Sequence, residues 1–294
     1  MLTGPLADTI IKAFDTMSDQ LQAAARYILN QPRDVALLSM REQARHAGVQ
    51  PATMTRLAKH LGLTGYEDIR QQYADAMRGE VTGFAGRVGA QAKDQKLKGD
   101  HALAADMLGG IAARVGQLAQ PAALDTLVDA AQRLSAARRI YCLGLRSSHS
   151  PAWHLHYILS LAGKHSIMLD AVGGIGADAL GSAGRDDVMV AVSVLPYTRQ
   201  TIEIADYAVE GGIPLVAITD SPVAPLAQLA ACTVVVPTES PSFLHTMSPA
   251  FVIAEALGAL VAGQVGDAAS AALAGVDRQS AALNTHLKTR MKRP

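Results

Sequence analysis

Apolar, β-favouring runs alternate with helical segments through residues 121–263, and this alternation constrains the fold more than any other feature of the chain. Runs such as 188–192 are apolar at every position, as expected of strands that helices cover on both faces of a sheet. The pattern therefore predicts an α/β domain with a parallel sheet. The predicted strands cover 139–143, 166–169, 187–193, 213–219 and 232–236, and the predicted helices cover 124–134, 151–161, 198–209, 225–229 and 249–261.

The stretch Arg139–Ser150 predicts a strand, a tight loop and the start of a helix. Residues 140–143 are apolar, Gly144 permits a sharp turn, and Pro151 suits the first turn of a helix. Serine hydroxyls in the loop would join the unpaired N–H groups and the dipole of a helix N-terminus, a combination that binds anions. An ordinary strand-to-helix turn with a serine cap is the alternative interpretation.

Ligands of open α/β sheets bind beyond the carboxyl ends of the strands, so the loops at those ends form the candidate site. They are rich in hydroxyl groups, and Arg146 and Arg199 are the only cations close to the first and third of them. The sequence contains no P-loop signature, and no GxGxxG pattern follows the first strand, which argues against an NTPase and a dinucleotide site. The loops cover 144–150, 170–178, 193–198, 219–221 and 238–248.

Residues 39–62 carry the pattern of a helix-turn-helix unit, within an all-helical region predicted over 1–80. Ser39 and Glu42 fit a capping box, Gly48 supplies the turn, and a second helix begins at Pro51. We interpret the second helix as the recognition helix of a DNA-binding domain. A plain helical hairpin with solvated cations is the alternative.

The charge of the chain is balanced overall but concentrated in this unit. The formal net charge is zero, whereas residues 41–59 carry a net charge of +3. Because phosphate contacts are local, this patch can bind DNA although the whole chain is neutral. We predict base-edge contacts from Gln50, Thr53 and Thr55, and phosphate contacts from Arg41, Arg45, Arg56 and Lys59.

The stretch between the two predicted domains reads as a boundary. Residues 79–90 are rich in glycine and residues 93–100 are charged, so we predict a linker, followed by a connecting helix over 101–118. The predicted organisation is a helix-turn-helix domain over 1–80, a linker and connecting helix over 81–120, an effector-binding domain over 121–265, and a helical tail over 266–294. The basic tail 288–294 is expected to be frayed.

Several patterns bear on location and cofactors. Cys142 and Cys232 fall in predicted strands, which favours buried thiols in a reducing compartment over a disulfide or a metal site. The N-terminus lacks the basic and apolar regions of a signal peptide, and no apolar run reaches the roughly 20 residues of a membrane span. We expect a cytoplasmic protein. We expect no cofactor and no metal, since His149, His154 and His156 lack Cys or acidic partners at ligand spacing.

In combination, residues 39–62 and 139–255 resemble the RpiR-type bacterial transcription regulators, which join a helix-turn-helix domain to a SIS (sugar isomerase) domain. Three stretches resemble the DNA-binding part: Leu38-Ser-Met-Arg-Glu-Gln-Ala, Gly48-Val-Gln-Pro-Ala-Thr-Met-Thr-Arg-Leu and Leu61-Gly-Leu-Thr-Gly-Tyr. Three others resemble the SIS part: Gly144-Leu-Arg-Ser-Ser, Ser193-Val-Leu-Pro-Tyr-Thr-Arg-Gln-Thr and Ala217-Ile-Thr-Asp-Ser-Pro. The resemblance implies an all-helical N-terminal domain followed by a five-stranded parallel αβα sandwich. It further implies a regulator that binds operator DNA as a homodimer or homotetramer and senses a phosphosugar.

The resemblance also implies a set of effector contacts. In SIS domains, serines of a GxGxS loop and of an SxSGxT loop hold the phosphate. Here Arg146 replaces the second glycine of the first loop, and Leu195 and Pro196 replace the second serine and the glycine of the second. Arg146 would compensate with a bidentate phosphate contact, or it would indicate a carboxylated or otherwise different ligand. The implied contacts are Arg146, Ser147, Ser148, Ser193, Tyr197, Thr198, His245, Ser248 and Glu255.

Two other functions remain open from the sequence. A sugar-phosphate isomerase with an accessory helical domain would use His245 and Glu255, the latter expected to be partly buried, as acid and base. The altered loops and the absence of a convincing acid–base pair count against an enzyme. A metabolite-binding adaptor with a helical head that does not bind DNA is the third interpretation.

Overall fold

The computed structural model describes residues 5–80, 84–170 and 176–287. By internal contacts the chain divides into two compact units. The first comprises residues up to 114 together with 220–228 and 237–246, and the second comprises 115–219, 229–236 and the residues from 247 onward. The predicted frayed tail 288–294 and residues 171–175 of the predicted loop 170–178 lie outside the described residues.

The N-terminal part is helical, as predicted. Leucine, isoleucine and methionine side chains such as Ile28, Met54 and Ile69 are fully buried in its core. Pro32 not only ends one helix but begins the next, because its fixed φ and missing N–H suit a first helical position. The helices are α1 (Pro5–Ala13), α2 (Asp19–Asn30), α3 (Pro32–Leu37), α4 (Met40–His46), α5 (Pro51–His60) and α6 (Tyr66–Glu80), with a 3-10 turn over Phe14–Thr16.

The predicted helix-turn-helix forms at α4 and α5. Ser39 Oγ accepts a hydrogen bond from Glu42 N–H at 3.4 Å and Glu42 Oε2 accepts one from Ser39 N–H at 3.0 Å, which completes the capping box. Gly48 turns the chain with a φ of +67°, a conformation that favours glycine. Val49 then packs into the core.

A buried amide locks α4 to its neighbours. Gln43 Nε2 donates to the carbonyl oxygens of Val35 and Leu38 at 3.1 and 2.8 Å, and Gln43 Oε1 accepts a hydrogen bond from Tyr66 Oη. Gln43 is completely buried, so each of these bonds satisfies a group that water cannot reach. This network holds the first helix of the pair in position.

The stretch predicted as a linker contains helix rather than coil. Helix α7 covers Phe84–Lys98 and helix α8 covers Asp100–Gln117, separated by Gly99 at a φ of +88°. Alanine, glutamine and lysine are good helix formers, and the Lys98–Asp94 ion pair at 3.1 Å adds support one turn apart. These local preferences outweigh the glycines on which the linker prediction depended. The helix predicted over 101–118 is observed as α8.

The C-terminal unit contains a five-stranded parallel sheet in the order β2-β1-β3-β4-β5, which confirms the predicted sheet. Observed strand limits lie within two residues of those predicted. The strands are β1 (Ile140–Gly144), β2 (Ser166–Leu169), β3 (Val188–Val192), β4 (Leu215–Thr219) and β5 (Cys232–Val235). The remaining helices are α9 (Pro121–Ala136), α10 (His149–Leu161), α11 (Arg199–Glu210), α12 (Pro225–Leu229), α13 (Ser248–Val265) and α14 (Asp267–Leu283).

Helix α13 is long and apolar enough to cross a membrane by length and composition alone. Its residues Ile253, Leu257 and Val261 instead pack into the hydrophobic core with strand residues such as Val190. This is the burial expected of a core helix in an α/β sandwich.

A buried carboxylate links the segments that precede β1 and β3, at the amino ends of these strands. Asp187, directly before β3, accepts hydrogen bonds from Arg138 at 2.9 and 3.0 Å and from Arg139 at 3.0 and 3.3 Å. The Gly184 N–H adds a bond of 2.9 Å. Burial by itself raises the pKa of the Asp187 carboxyl, but these hydrogen bonds outweigh it and hold the pKa at about 2.

Both cysteines are free and buried, as predicted. Burial raises the pKa of the Cys142 thiol to about 12 and that of the Cys232 thiol to about 11. At neutral pH both therefore remain protonated and act as small apolar side chains.

Candidate functional site

The first candidate site is the exposed face of α4 and α5. Five of the residues predicted to contact DNA are exposed: Arg41, Arg45, Gln50, Arg56 and Lys59. Thr55 is half-buried, and its Oγ1 lies 3.7 Å from Met40 Sδ. The described residues therefore present cations on both helices, with polar groups at the start of α5, the arrangement expected of a surface that meets a DNA groove.

The structure corrects the prediction for Thr53. Its side chain is only 1% exposed, because Thr53 lies one turn before Leu57 on the face of α5 that packs into the core. Thr53 Oγ1 accepts a hydrogen bond from Arg56 Nη2 at 3.0 Å. A residue in this position cannot reach a base edge, so Thr53 is not an outward-facing DNA contact.

The second candidate site lies at the carboxyl ends of β1 and β3. In the observed order the chain goes from β1 to β2 on one side and then returns to β3 on the other, so these two strands border the topological switch point. Gly144 of β1 pairs with Val192 of β3, and neighbouring strands are about 4.8 Å apart. The loops that begin at Leu145 and Ser193 therefore start side by side.

The loop after β1 packs closely against its own strand. A Cβ at Gly144 would lie 2.4 Å from the Ser148 carbonyl oxygen and 2.7 Å from Ala152 Cβ, so only glycine fits. The loop folds into a 3-10 turn over Arg146–Ser148 and α10 begins at His149, two residues earlier than predicted. Ser148 is 5% exposed and makes no side-chain cap hydrogen bond.

Arg146 adopts a left-handed backbone conformation, with a φ of +57°. This conformation costs a residue with a Cβ about 1 to 2 kcal/mol, and it is the conformation that glycine takes freely. The Arg146 side chain is exposed at the strand end, beside the half-buried Ser147. The chain thus keeps a glycine-like backbone at this position and adds a cation to it.

The loop after β3 places hydroxyl groups beside this turn. Ser193 is 2% exposed, and its carbonyl oxygen accepts a hydrogen bond of 2.7 Å from Thr219 Oγ1 at the end of β4. Tyr197 and Thr198 are half-buried, and α11 begins at Arg199. Thr201, in the first turn of α11, is fully buried and its Oγ1 has no hydrogen-bond partner in the described residues.

Sequence reasoning missed both threonines of this arrangement. Thr219 ends β4, which pairs in register with β3, and Thr201 lies three residues after Thr198 on the same helix face. Their spacing from the predicted contacts Ser193 and Thr198 is the sequence feature that could have identified them. Thr219 fixes the backbone of Ser193, whereas Thr201 leaves an unsatisfied hydroxyl near a helix N-terminus.

The structure does not bring every predicted contact to this edge of the sheet. Ser248 is the first residue of α13, but Glu255 lies seven residues along that helix, about 10 Å further on. Glu255 is exposed, not partly buried as expected, and its Oε1 is 3.5 Å from His154 Nε2. His245 is half-buried and belongs by internal contacts to the first unit.

The histidines near the first loop have separate partners. His154 stacks on Phe251 with ring centroids 4.2 Å apart, and His156 Nδ1 lies 2.9 Å from Ser166 Oγ. Burial lowers the pKa of His156. In the part of the chain that the structure describes, no three His, Cys, Asp or Glu side chains form a cluster able to hold a metal ion.

Two family models match the chain. The SIS domain matches residues 133–260, and the helix-turn-helix domain of the rpiR family matches residues 6–79. The two matches do not overlap and together span most of the chain. The first contains both strand-end loops, and the second contains α4 and α5.

Curated relatives divide into two kinds. The chain is 28% identical over 227 residues to the bifunctional protein glk of Burkholderia orbicola, a match that covers 74% of this chain and 34% of that protein. It thus spans about a third of the length of these relatives. It is 24% identical over 222 residues to the HTH-type transcriptional regulator HexR of Pseudomonas aeruginosa, covering 73% of each.

Solved structures show the same fold. The sugar isomerase domain of an RpiR transcription factor from Sphaerobacter thermophilus aligns with a TM-score of 0.56 and 26% identity, over 60% of this chain and 98% of that one. The Vibrio vulnificus NanR protein, solved in complex with ManNAc-6P, aligns with a TM-score of 0.54 and 22% identity, over 95% of this chain and 98% of that one.

Proposed function

Because the chain belongs to the RpiR type of protein, in which a helix-turn-helix domain precedes a SIS domain, we propose that it is a DNA-binding transcription regulator. Its SIS domain senses a phosphosugar-like metabolite and modulates operator binding. One observation carries the proposal: the same chain has an exposed cationic helix-turn-helix face and a hydroxyl-rich turn at the switch point of a parallel sheet. Each feature suits one of the two ligands.

The DNA arm of the proposal rests on the exposed residues of α4 and α5. Arg41, Arg45 and Lys59 are exposed, and we assign them to phosphate contacts, which supply affinity without sequence preference. Gln50, at the N-cap of α5, and Thr55 are the candidates for base-edge contacts. A homodimer or homotetramer would present two such faces to two half-sites.

The effector arm rests on the two strand-end loops. The loops supply hydroxyl groups beside the N-termini of α10 and α11, where helix dipoles favour an anion. These hydroxyl groups belong to Ser147, Ser148, Ser193, Tyr197 and Thr198. Arg146 adds a guanidinium, which binds phosphate or carboxylate oxygens in pairs. Ser248, the first residue of α13 in the same unit, is a further candidate. The ManNAc-6P bound to NanR supports a sugar phosphate as the effector class.

We favour a sensor over a sugar-phosphate isomerase. An isomerase needs an acid and a base on one substrate, and the obvious carboxylate, Glu255, is exposed two turns along α13 and paired with His154. A sensor needs only differential binding: coupling of about 2 kcal/mol changes operator affinity by a factor of about thirty. We place such a regulator in the cytoplasm, where DNA and phosphosugars are found.

The proposal is tested by measuring effector binding and its effect on DNA binding with the same protein. A thermal-shift screen of sugar phosphates and sugar acids on the full chain should give a hit that is lost in Ser148→Ala and Ser193→Ala. The same compound should change the affinity for DNA from upstream of the gene about tenfold or more. A hit that these variants keep would contradict the proposed site. Turnover of the compound, lost in Glu255→Ala, would support the isomerase instead.

Arg146→Gly separates the role of the guanidinium from that of the backbone. Glycine keeps the left-handed conformation and removes its cost, so the unbound variant should melt at a higher temperature than the wild type. If Arg146 contacts the effector, the more stable variant should bind it about tenfold or more weakly. Equal affinity in the two proteins would exclude Arg146 from the site.

A further inference from the structure

Arg56 is held by the residue one turn before it on the recognition helix. We propose that Arg56 reads a guanine base in the operator, and that Thr53 is the buried residue that positions it. The inference rests on the proposed DNA-binding function and assigns Arg56 a role that its charge alone does not predict. The carrying observation is the 3.0 Å hydrogen bond from Arg56 Nη2 to Thr53 Oγ1.

The burial of Thr53 makes this hydrogen bond costly to break. Thr53 is 1% exposed, so its hydroxyl oxygen is shielded from water on the core side of α5. A buried acceptor that loses its partner carries the full desolvation penalty. If Arg56 swung outward to a phosphate, Thr53 Oγ1 would be left without the guanidinium. The arginine is therefore favoured to stay over the surface of its own helix.

The position of Arg56 on α5 suits a base contact. Ala52, Arg56 and Lys59 are exposed and Thr55 is half-buried, at spacings of three and four residues, so they form one stripe along the helix. Arg56 lies in the middle of this stripe, between Ala52 and Lys59. In a helix-turn-helix the second helix lies in the major groove with its N-terminal part on base edges, whereas the first helix crosses the backbone. Arg56 lies in the second turn of α5, within reach of those edges.

The chemistry of the guanidinium selects guanine among the bases. One of its five N–H donors is used by Thr53, and the remaining four include a pair that can bind two acceptors at once. Guanine presents two acceptors, O6 and N7, on its major-groove edge, and arginine on guanine is the commonest specific contact of this kind. Holding the side chain before DNA arrives also reduces the rotamer entropy lost on binding.

The test starts from randomised 30-base-pair duplexes selected by the full-length wild-type protein, with affinities then measured by fluorescence anisotropy. We expect one guanine in each half-site to be preferred over other bases by about ten- to a hundredfold. Arg56→Lys keeps the positive charge but loses the paired N–H donors of the guanidinium. The preference for that guanine should therefore fall below about threefold, while base preferences at other positions of the half-site persist. Replacing that guanine with 7-deazaguanine should weaken the wild type but not Arg56→Lys.

Three further variants distinguish positioning from simple charge. Thr53→Val removes the hydroxyl at nearly constant volume and should weaken the preference at the same guanine about threefold, whereas Thr53→Ser should restore it. Lys59→Ala is the matched control: it should weaken binding to all sequences alike and reduce the salt dependence by about one phosphate contact. Circular dichroism melting identifies any variant that fails to fold, and Arg56→Lys, on the surface, keeps the test independent of Thr53.

Two results would overturn the inference. If Arg56→Lys keeps the full guanine preference, Arg56 does not read that base. If instead Arg56→Lys or Arg56→Ala weakens all sequences alike, as the Lys59 control does, Arg56 is a phosphate contact. A wild-type protein that enriches no sequence would refute the proposed function itself, and the base contact with it. These patterns differ, so failure of the inference is separable from failure of DNA recognition.

Discussion

Neutralising the buried carboxylate of Asp187 should destabilise the sheet domain in a way that depends on pH. Asp187 accepts five hydrogen bonds, four from Arg138 and Arg139 and one from the Gly184 backbone. Asp187→Asn removes the charge and turns an amide NH₂ toward guanidinium donors. Since Arg138 is partly exposed and stays solvated, we place the loss at about 2 to 3 kcal/mol, below the roughly 3 to 5 kcal/mol of a fully buried pair.

The pKa of Asp187 gives an independent magnitude. It is held at about 2, against an ordinary value of 3.8, so the folded state favours the carboxylate by about 2 kcal/mol at neutral pH. A carboxyl whose pKa is lowered by folding stabilises the protein at any pH above its pKa in the unfolded state. This stabilisation is lost as the pH falls toward the pKa in the folded state. The wild type should therefore lose about 1 kcal/mol from this group between pH 7 and pH 3, and Asp187→Asn should not.

Urea unfolding followed by tryptophan fluorescence measures this directly, since Trp153, the single tryptophan of the chain, lies on α10 of the same unit. Asp186→Asn is the matched control, because Asp186 is the exposed neighbour with the same side chain. At pH 7 Asp187→Asn should unfold at a clearly lower urea concentration than Asp186→Asn, and the gap should narrow at pH 3. Equal midpoints at pH 7, or a gap that does not change with pH, would refute the reasoning.

Three further changes test other parts of the structure. Gly144→Ala would force a Cβ into the Ser148 carbonyl, so we expect a loss of about 1 to 3 kcal/mol in urea unfolding together with effector binding; an unchanged effector affinity would contradict this. Tyr66→Phe leaves the buried Gln43 amide oxygen without its donor and should cost about 1 to 2 kcal/mol, which a thermal melt would detect. Trp153→Ala should weaken self-association measured by light scattering if the exposed stacked aromatic pair on α10 is a subunit interface, and an unchanged mass would exclude that.

Much of the fold was predictable because it depends on local patterns. The apolar run at 188–192 predicted a doubly covered strand, and the capping box at Ser39 and Glu42 marked the start of α4 within one residue. The stretch predicted as a linker from its glycines at 79–90 and its charges at 93–100 is helical over Phe84–Lys98, where alanines and an i,i+4 ion pair favour a helix. Local signals decide secondary structure when they agree, and mislead when they compete.

The candidate sites were only partly predictable. Gly144, Ser148 and Ser193 follow the predicted strands, and parallel pairing brings the carboxyl ends of strands to one edge whatever the details. The burial of Thr53 and the exposure of Glu255 were not predictable to the same degree. Each depends on how a helix rotates about its axis and packs on its neighbours, which helical spacing constrains only to within about one residue.

The sequence by itself determined the helix-turn-helix with its cationic second helix and the order of strands and helices in the parallel sheet, since each follows from periodicity, capping residues and charge close together in the chain. Tertiary structure alone decided that Asp187 gathers two arginines, that Thr201 and Thr219 flank the β3 loop, and that Thr53 holds Arg56 from inside the core. The physical reason is that burial and hydrogen-bond partners arise from packing between elements. Those contacts orient the Arg56 guanidinium and fix the backbone of Ser193 at the end of β3.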